Sequence, residues 1–511
     1  MHSRWTELLQ SMAGGVSGSG ISHEMLGKVL YRVALAKEPV PRSEISKGNM
    51  IPYAPVLASG TVSKAADVLI REGLLTELDQ RRGQVGPPTR PLALGGPGWA
   101  VVGIHVDLPR SGPDRLTGVI CGLDRKVLAG PELLEVSKDL EDSKDDDKHD
   151  PRGLAQGIRK LTESLLVQAA GLPGRSSKQQ LLSVGVELGG HVFRGKVIDS
   201  AHAHWSQPVD LGEALTEELS KSPDLDGVPV IVENDVNALA IHRYYERRFE
   251  GLNTALVAVF QQGVGGALIL DGRMYRGSNG MAPEPGHLAI DYPRIPDGAG
   301  KRPLALDTGK RLTFDDECMC SKIGHKRYGH VDTVATPSRI EGQLAAVLSD
   351  DSASLAKAAA SPRAVPGEEP GELIVSEEAK IMHRAGRGLG RGLAHIVNIV
   401  NPGQIVLLLP APLASPPPGS SGTEYVEAAE REMDNAYSTG PRDARGGAGH
   451  LRLTIQSYDD DKIVLEGAVA AATTAFNAFT DHARGFDGCS APAPMPQKER
   501  ASRRQARASD T

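Results

Sequence analysis

Apolar residues follow two different patterns along this chain, a helical spacing and short uninterrupted runs. Near the N-terminus, MLGKVLYRVALAK places apolar side chains at helical spacing, which predicts an amphipathic helix. Farther along, short apolar runs alternate with helical segments: WAVVGIHV, LLSVGVELGG, PVIVEN, TALVAVF, ALILDG and QIVLLL. Uninterrupted apolar runs of this length are typical of strands buried on both faces of a parallel sheet. The pattern therefore predicts an α/β protein with well-buried central strands, preceded by a small helical module.

Composition marks the ends of these regions. Residues 1–20 finish in the Gly/Ser-rich stretch SMAGGVSGSG, which predicts a disordered tail. Residues 481–511 end in a polar, basic, aromatic-free stretch, which predicts a second disordered tail. Residues 21–95 form the helical module, and the α/β region follows from residue 96 to 480.

Charge and length narrow the class of protein. The 511 residues carry a formal net charge of −7, which excludes a globally basic nucleic-acid coat. Residues 21–94 have the opposite sign, with about ten basic and seven acidic residues. No apolar run reaches the ~18 residues of a membrane span, and the N-terminus lacks a signal-peptide pattern. These features predict a cytoplasmic multidomain protein with no membrane partner.

The helical module has the pattern of a DNA-binding domain. VPRSEIS predicts a short second helix, and SGTVSKAADVLIREG a third, with an opening turn of small polar residues and one cation. Such residues suit a recognition helix, which reads base edges, and the hairpin predicted after it would carry two arginines to the DNA backbone. The predicted DNA-binding residues are Ser59, Thr61, Ser63, Lys64, Arg81 and Arg82. The alternative is a packing or dimerisation domain with an incidental charged turn.

A metal site is predicted near the middle of the chain. Cys318 and Cys320 are followed by His325, and His287 lies upstream. Two thiolates and two imidazoles are the ligand set of a closed, tetrahedral, structural zinc site. His330 could compete as a ligand, and the alternative is that the two cysteines are ordinary buried thiols.

Several motifs together resemble the ROK family of repressors, open reading frames and kinases. They are IVENDVNALA, GVGGALILDGRMYRGSNGMAPEPGH, CMCSKIGH and GLAHIVNIVNPGQIVL, within a resemblance that covers residues 22–480. The resemblance implies two ribonuclease-H-like lobes, as in actin and hexokinases, with a sugar cleft between them. The lobes would comprise residues 96–250 plus 460–480, and residues 251–459. It also implies homodimers or homotetramers, and a winged helix-turn-helix ahead of the lobes is the arrangement of the family's transcriptional regulators.

The resemblance assigns roles in the cleft and at the metal. Asp235 matches the family's catalytic base, and Asn234, Glu284 and His287 match residues that bind sugar hydroxyls. At the metal, His287 matches the family's zinc histidine, and His325 stands where a third cysteine is usual. The alternative for Asp235 is that it merely caps the helix that follows it.

The nucleotide site departs from the family's kinases. They open with Gly-[Ile/Val]-Asp-x-Gly-Gly-Thr, whereas this chain has His105 in place of the acid and Leu108-Pro109-Arg110 in place of the phosphate loop. Proline has no N–H to donate to a phosphate. The late Gly-Gly is also replaced, near Pro410. We therefore expect no phosphoryl transfer, with Asp235 kept as a relic or as a ligand contact.

These observations lead to a functional prediction. The chain is expected to be a ROK-type, sequence-specific DNA-binding regulator, a repressor, in the cytoplasm and nucleoid of a bacterium. Its partners would be an operator duplex, a sugar-like effector and further copies of itself, and its cofactor structural zinc. The alternative is an ATP-dependent sugar kinase with an N-terminal extension. A third reading is a DNA-binding protein whose cleft has no ligand.

Overall fold

The structure of the chain is a computed structural model. The structure describes residues 3–14, 21–36, 38–48, 55–79, 89–95, 98–109, 112–136, 149–171, 180–200, 203, 205, 207–246, 249, 253–290, 304–305, 311–312, 330–349, 352–367, 373–436 and 451–486.

An N-terminal helix stands where the sequence predicted a disordered tail. Helix α1, Ser3–Gly14, buries the side chains of Trp5, Leu9 and Met12, which share one helical face. The Trp5 indole donates to the carbonyl of Leu182 at 3.0 Å and meets the Phe479 ring edge-on at 5.6 Å. The tail prediction is therefore wrong for these residues, because apolar side chains at i, i+4 and i+7 give the helix a face to bury.

The N-terminal module is a winged helix, as predicted. Three helices pack around one apolar core, and two short antiparallel strands follow them, with Thr76 opposite Ala93 in the register. The elements are α2 His23–Ala34, α3 Arg42–Lys47, α4 Ser59–Arg71, β1 Leu75–Glu77 and β2 Leu92–Leu94.

The first lobe is built on a five-stranded sheet of order β5-β4-β3-β6-β9. β3, β4 and β5 are antiparallel neighbours, whereas β6 and β9 run parallel to β3. The elements are β3 Trp99–Asp107, β4 Asp114–Gly122, β5 Val127–Val136, α5 Pro151–Ala170, β6 Gln180–Leu188, β7 His191–Phe193, β8 Lys196–Asp199, α6 Leu211–Leu219, β9 Val230–Asn234 and α7 Asp235–Tyr245.

The second lobe repeats this strand order as β12-β11-β10-β17-β18, again with three antiparallel strands and two parallel ones. The repetition confirms two ribonuclease-H-like lobes. The elements are β10 Thr254–Val259, β11 Val264–Leu270, β12 Arg273–Tyr275, a 3-10 helix Pro285–His287, β13 Leu304–Ala305, β14 Arg311–Leu312, α8 Asp332–Ala335, α9 Pro337–Leu348, α10 Leu355–Ala360, β15 Ala364–Pro366, β16 Leu373–Val375, α11 Glu377–Val400, β17 Gln404–Pro410, α12 Ala411–Ala414, α13 Thr423–Ala436, β18 Arg452–Tyr458 and α14 Asp460–Ala483.

Helix α14 lies against the first sheet at very short range. A Cβ atom on Gly103 or Gly185, in β3 and β6, would stand 2.0 Å from a backbone oxygen of α14. Its stretch Lys462–Ala483 is long and apolar enough to cross a membrane, but 61% of its most apolar window is buried inside the protein. It is therefore a core helix.

The C-terminal end of α14 meets the winged helix. The Arg484 guanidinium lies 3.8 Å above the Tyr31 ring of α2, and Arg273 lies 3.8 Å above the Phe486 ring. The predicted disordered tail over residues 481–511 is thus wrong for its first six residues, which these contacts hold in place. The rest of that tail lies outside the described residues.

Candidate functional site

The candidate ligand cleft begins at the ends of the parallel strands of the first lobe. The register sets His105 of β3 beside Glu187 of β6, and Leu188 beside Asn234, the last residue of β9. Helix α7 starts immediately afterwards, at Asp235. The carboxyl ends of parallel strands are where α/β folds place ligands, so the sheet brings these side chains to one edge.

Asn234, rather than Asp235, caps helix α7. The Asn234 side chain accepts a hydrogen bond from the Asn237 amide at 3.0 Å and donates to the Gly190 carbonyl at 2.9 Å and to Asp235 Oδ1 at 3.0 Å. Burial and the nearby charge of Glu187 raise the pKa of Asp235 to about 6. Asp235 is therefore not the capping residue, although its Oδ1 also accepts from the Val236 amide.

A histidine–glutamate pair joins β3 and β6 at this edge of the sheet. His105 Nδ1 contacts Glu187 Oε1, and Glu187 is only 1% exposed. Burial alone would lower the pKa of His105, but the charge of Glu187 and the hydrogen bond to it raise that pKa. Gly467 of α14 makes room for the pair, since a Cβ there would lie 2.5 Å from Glu187 Oε1.

The opposite side of the cleft comes from the second lobe. Glu284 precedes the 3-10 helix that ends at His287, and it pairs with His191 of the first lobe, Nε2 to Oε1 at 2.7 Å. His287 Nδ1 lies 3.6 Å from Asp332 Oδ2, and the Val264 amide donates to Asp332 Oδ1 at 2.7 Å. The Glu284–His191 contact therefore joins the two lobes across the cleft.

The structure brings the four predicted ligand residues, Asn234, Asp235, Glu284 and His287, into one cleft, and their role in binding stays a prediction. The charge of Glu284 acts on Asp235 from across the cleft. Sequence reasoning missed the additional cleft residues Glu187, His191, Asp199 and Asp332. The one available signal was an acid inside an apolar strand run, LLSVGVELGG.

Of the four predicted zinc ligands, only His287 lies in the part of the chain that the structure describes. His287 is present, and its ring lies 5.6 Å from that of His330. Cys318, Cys320 and His325 lie outside the described residues. Within the part of the chain that the structure describes, no group of three His, Cys, Asp or Glu is arranged to hold a metal. The donor chemistry of the four residues fits zinc, and Asp332 stands where a carboxylate would orient a histidine ligand.

The predicted DNA-binding residues of α4 lie on its first two turns. Ser59 and Lys64 are exposed, and Thr61 and Ser63 are half-buried. The residue before the helix, Ala58, occupies the N-cap position and supplies no side-chain hydrogen bond. Its first amide groups are therefore not satisfied by a capping side chain, which is the arrangement that binds a DNA phosphate. The predicted wing arginines, Arg81 and Arg82, lie outside the described residues.

A buried arginine that the sequence analysis overlooked fixes the geometry of the winged helix. Arg32 of α2 is 3% exposed, and its guanidinium donates to the carbonyls of Ile45, Ser46 and Pro55. These carbonyls lie at the end of α3 and just before α4. Arg32 thus ties α3 and the segment before α4 to α2.

The model of the ROK family matches residues 154–408. Among curated relatives, the xylose repressor of Bacillus spizizenii is 25% identical over 274 residues, covering 52% of this chain and 60% of the repressor. NagC, a DNA-binding transcriptional dual regulator of Escherichia coli, is 23% identical over 397 residues, covering 74% of this chain and 78% of NagC. The chain thus spans about three fifths of the xylose repressor's length.

Enzymes are among the relatives too. A glucokinase of Streptomyces coelicolor is 28% identical over 179 residues, covering 35% of this chain and 50% of the enzyme. The crystal structure of a ROK family transcriptional regulator, a homologue of the E. coli MLC protein, superposes with a TM-score of 0.58 at 20% identity, covering 90% of this chain and 98% of that one. At that identity the superposition supports the fold alone, including its N-terminal part.

Proposed function

We propose that this chain, which belongs to the ROK family through residues 154–408, is a sequence-specific DNA-binding repressor whose two lobes sense a small polyhydroxy ligand. The observation that carries the proposal is the winged helix ahead of the lobes, with the uncapped start of α4 exposed. Similarity to the xylose repressor and to NagC supports the same assignment.

DNA recognition is assigned to α4 and the wing. The first-turn amides of α4 dock on a phosphate, and Ser59, Thr61, Ser63 and Lys64 reach base edges and the backbone. Arg81 and Arg82 of the wing follow the backbone or enter a minor groove. As a homodimer or homotetramer, the protein would read an operator with two-fold symmetry.

Helix α7 offers a direct route from the cleft to the winged helix. It begins at Asp235 in the cleft and ends at Tyr245, about 15 Å away at 1.5 Å per residue. The Tyr245 ring meets the Tyr31 ring of α2 edge-on at 6.2 Å. A ligand that displaces the first turn of α7 would therefore also displace Tyr245, and with it the contact to α2.

The rival assignment is an ATP-dependent sugar kinase. Asp235 and the turn at Gly263–Gly266 favour it. His105 opposes it, because the resemblance implies an acid at this position in the kinases of the family, and Pro109 in the following segment has no N–H to donate to a phosphate. The chain is proposed to transfer no phosphoryl group.

Selection of bound duplexes from a random DNA pool tests the proposal, with full-length protein at two salt concentrations. Recovery of an inverted repeat is the expected result. Lys64→Ala should weaken binding to that motif and reduce the salt slope by about one, whereas Lys221→Ala, on the first lobe, removes the same charge and should change neither. Absence of enrichment, together with hexose-dependent ATP turnover, would favour the kinase instead.

A structural zinc ion is proposed at His287, Cys318, Cys320 and His325. When bound, zinc would cross-link the segments that carry these side chains and add stability without an open position for chemistry. Cys318→Ser should lower both the bound zinc, measured by mass spectrometry, and the unfolding temperature. Cys121→Ser serves as the control, because Cys121 is buried in β4. A Cys318→Ser protein that keeps its zinc would contradict the assignment.

A further inference from the structure

The charge of the cleft points to the chemistry of its ligand. The described cleft residues include five carboxylates and three imidazoles: Glu187, Asp199, Asp235, Glu284, Asp332, His105, His191 and His287. Even with every imidazole protonated, two carboxylates remain in excess. Arg276, a nearby cation, is held by Glu233 through two hydrogen bonds of 2.8 and 2.6 Å. The cleft is therefore electronegative.

Two buried acceptors beside Asp235 have no donor. Glu187 Oε2 accepts no hydrogen bond, although the residue is 1% exposed and its other oxygen contacts His105. Asn237, in the first turn of α7, is 3% exposed, and its Oδ1 also lacks a donor. A buried acceptor left without a donor costs about 1–3 kcal/mol. A bound group that brings several hydrogens would recover this cost.

The same features disfavour a phosphate. Glu187 and His105 lie at the carboxyl ends of β6 and β3, and the segment after β3 contains Pro109, which has no N–H to donate to a phosphate. A phosphate brings acceptors and negative charge to a region that already has an excess of both. An ammonium group brings three donors and a positive charge.

We propose that the cleft takes an unphosphorylated amino sugar, whose protonated amine lies at the Glu187–Asp235 side while its hydroxyls reach Asn234 and Glu284. The proposal rests on the proposed function in one respect, that the cleft is a ligand site. It goes beyond that function by fixing the charge of the ligand. The amine replaces the missing donors and reduces the repulsion between Glu187 and Asp235.

Calorimetric titration of the full-length protein tests this. The probes are glucosamine, galactosamine and mannosamine, each against its neutral parent hexose, together with glucosamine 6-phosphate. At least one amine should bind ten-fold or more tighter than its parent, and the phosphate should bind more weakly than glucosamine. The proposal is overturned if no amine exceeds its parent, if the phosphate binds best, or if no probe binds.

Substitutions of the cleft carboxylates test where the amine of the ligand binds. Glu187→Gln should reduce the preference for the amine over its parent to less than three-fold, whereas Glu163→Gln, on the surface of α5, should leave it unchanged. Should Glu187→Gln not fold, Asp235→Asn gives the same comparison. A preference that survives both cleft substitutions would refute the assigned position. DNA selection is a separate readout, so failure of DNA binding with an intact amine preference would reject the repressor and keep the ligand assignment.

Discussion

Replacement of the buried Arg32 by methionine should release α4, the proposed recognition helix. Methionine keeps most of the side-chain volume but removes every donor, so the carbonyls of Ile45, Ser46 and Pro55 lose their charged partner. Hydrogen bonds from a charged donor contribute about 1.5–3 kcal/mol each. Burial lowers the pKa of Arg32, which reports a desolvation cost that the substitution removes. Because that offset cancels part of the three bonds, the net loss should be about 3 kcal/mol, the equivalent of one or two of them.

The loss of stability should be confined to the winged helix. A change of about 3 kcal/mol corresponds to roughly a 150-fold increase in the opening equilibrium of the module. Hydrogen exchange of the α3 and α4 amides in the full-length protein measures that opening directly. Affinity for the selected duplex should fall as well, because α4 is held less firmly in its binding position.

Lys28→Met is the matched control. Lys28 lies one turn earlier on α2, carries the same charge and is about one-third exposed, with Glu24 as its ion-pair partner at 2.5 Å. Exposed pairs of this kind contribute less than about 1 kcal/mol. Equal exchange rates in the wild-type and Arg32→Met proteins would refute the assigned role of Arg32. So would equal acceleration by both substitutions.

Two further predictions concern the core and the cleft. Gly103→Ala should destabilise the first lobe by several kcal/mol, at least ~3, in thermal or denaturant unfolding, because its Cβ would stand 2.0 Å from the Ala468 carbonyl. Gly342→Ala, at an exposed position of α9 where a Cβ would have nothing within 4 Å, should instead stabilise the protein by about 0.5–1 kcal/mol. Asp235 holds its proton more tightly when folded, since its pKa is about 6. Stability should therefore fall as pH rises from about 4 to 6, and Asp235→Asn should raise the unfolding temperature at pH 7.5 but not at pH 4.

The fold could be largely anticipated because its signals are local. Buried strands of five to nine residues leave uninterrupted apolar runs, and the amphipathic α2 leaves a helical period. The tail prediction failed for α1 because a Gly/Ser-rich stretch that follows the helix outweighed three apolar side chains within it. The partner of that face, Phe479, is more than 450 residues away in sequence.

The sequence predicted only some of the residues that line the cleft. Asp235 and Glu284 lie in motifs that resemble a known family, and this alone singled them out. The His105–Glu187 pair depends on a parallel register between strands 82 residues apart, and the Glu284–His191 contact depends on how the lobes meet. Arg32 was overlooked for a similar reason. A cation at the end of an amphipathic helix is typical of a solvated face, and only the fold shows that three carbonyls surround it.

Tyr31 of the winged helix contacts both lobes. Its ring packs on Tyr245, at the end of α7, while its hydroxyl donates to the Gly272 carbonyl in the β11–β12 turn of the second lobe at 3.3 Å. A change in the angle between the lobes therefore cannot preserve both contacts. A ligand that binds the closed cleft in preference to the open one would shift α2, and a 100-fold change in DNA affinity requires a preference of about 2.7 kcal/mol. Two or three hydrogen bonds made only on closure, such as those of an amine to Glu187 and Asp235, suffice for that amount.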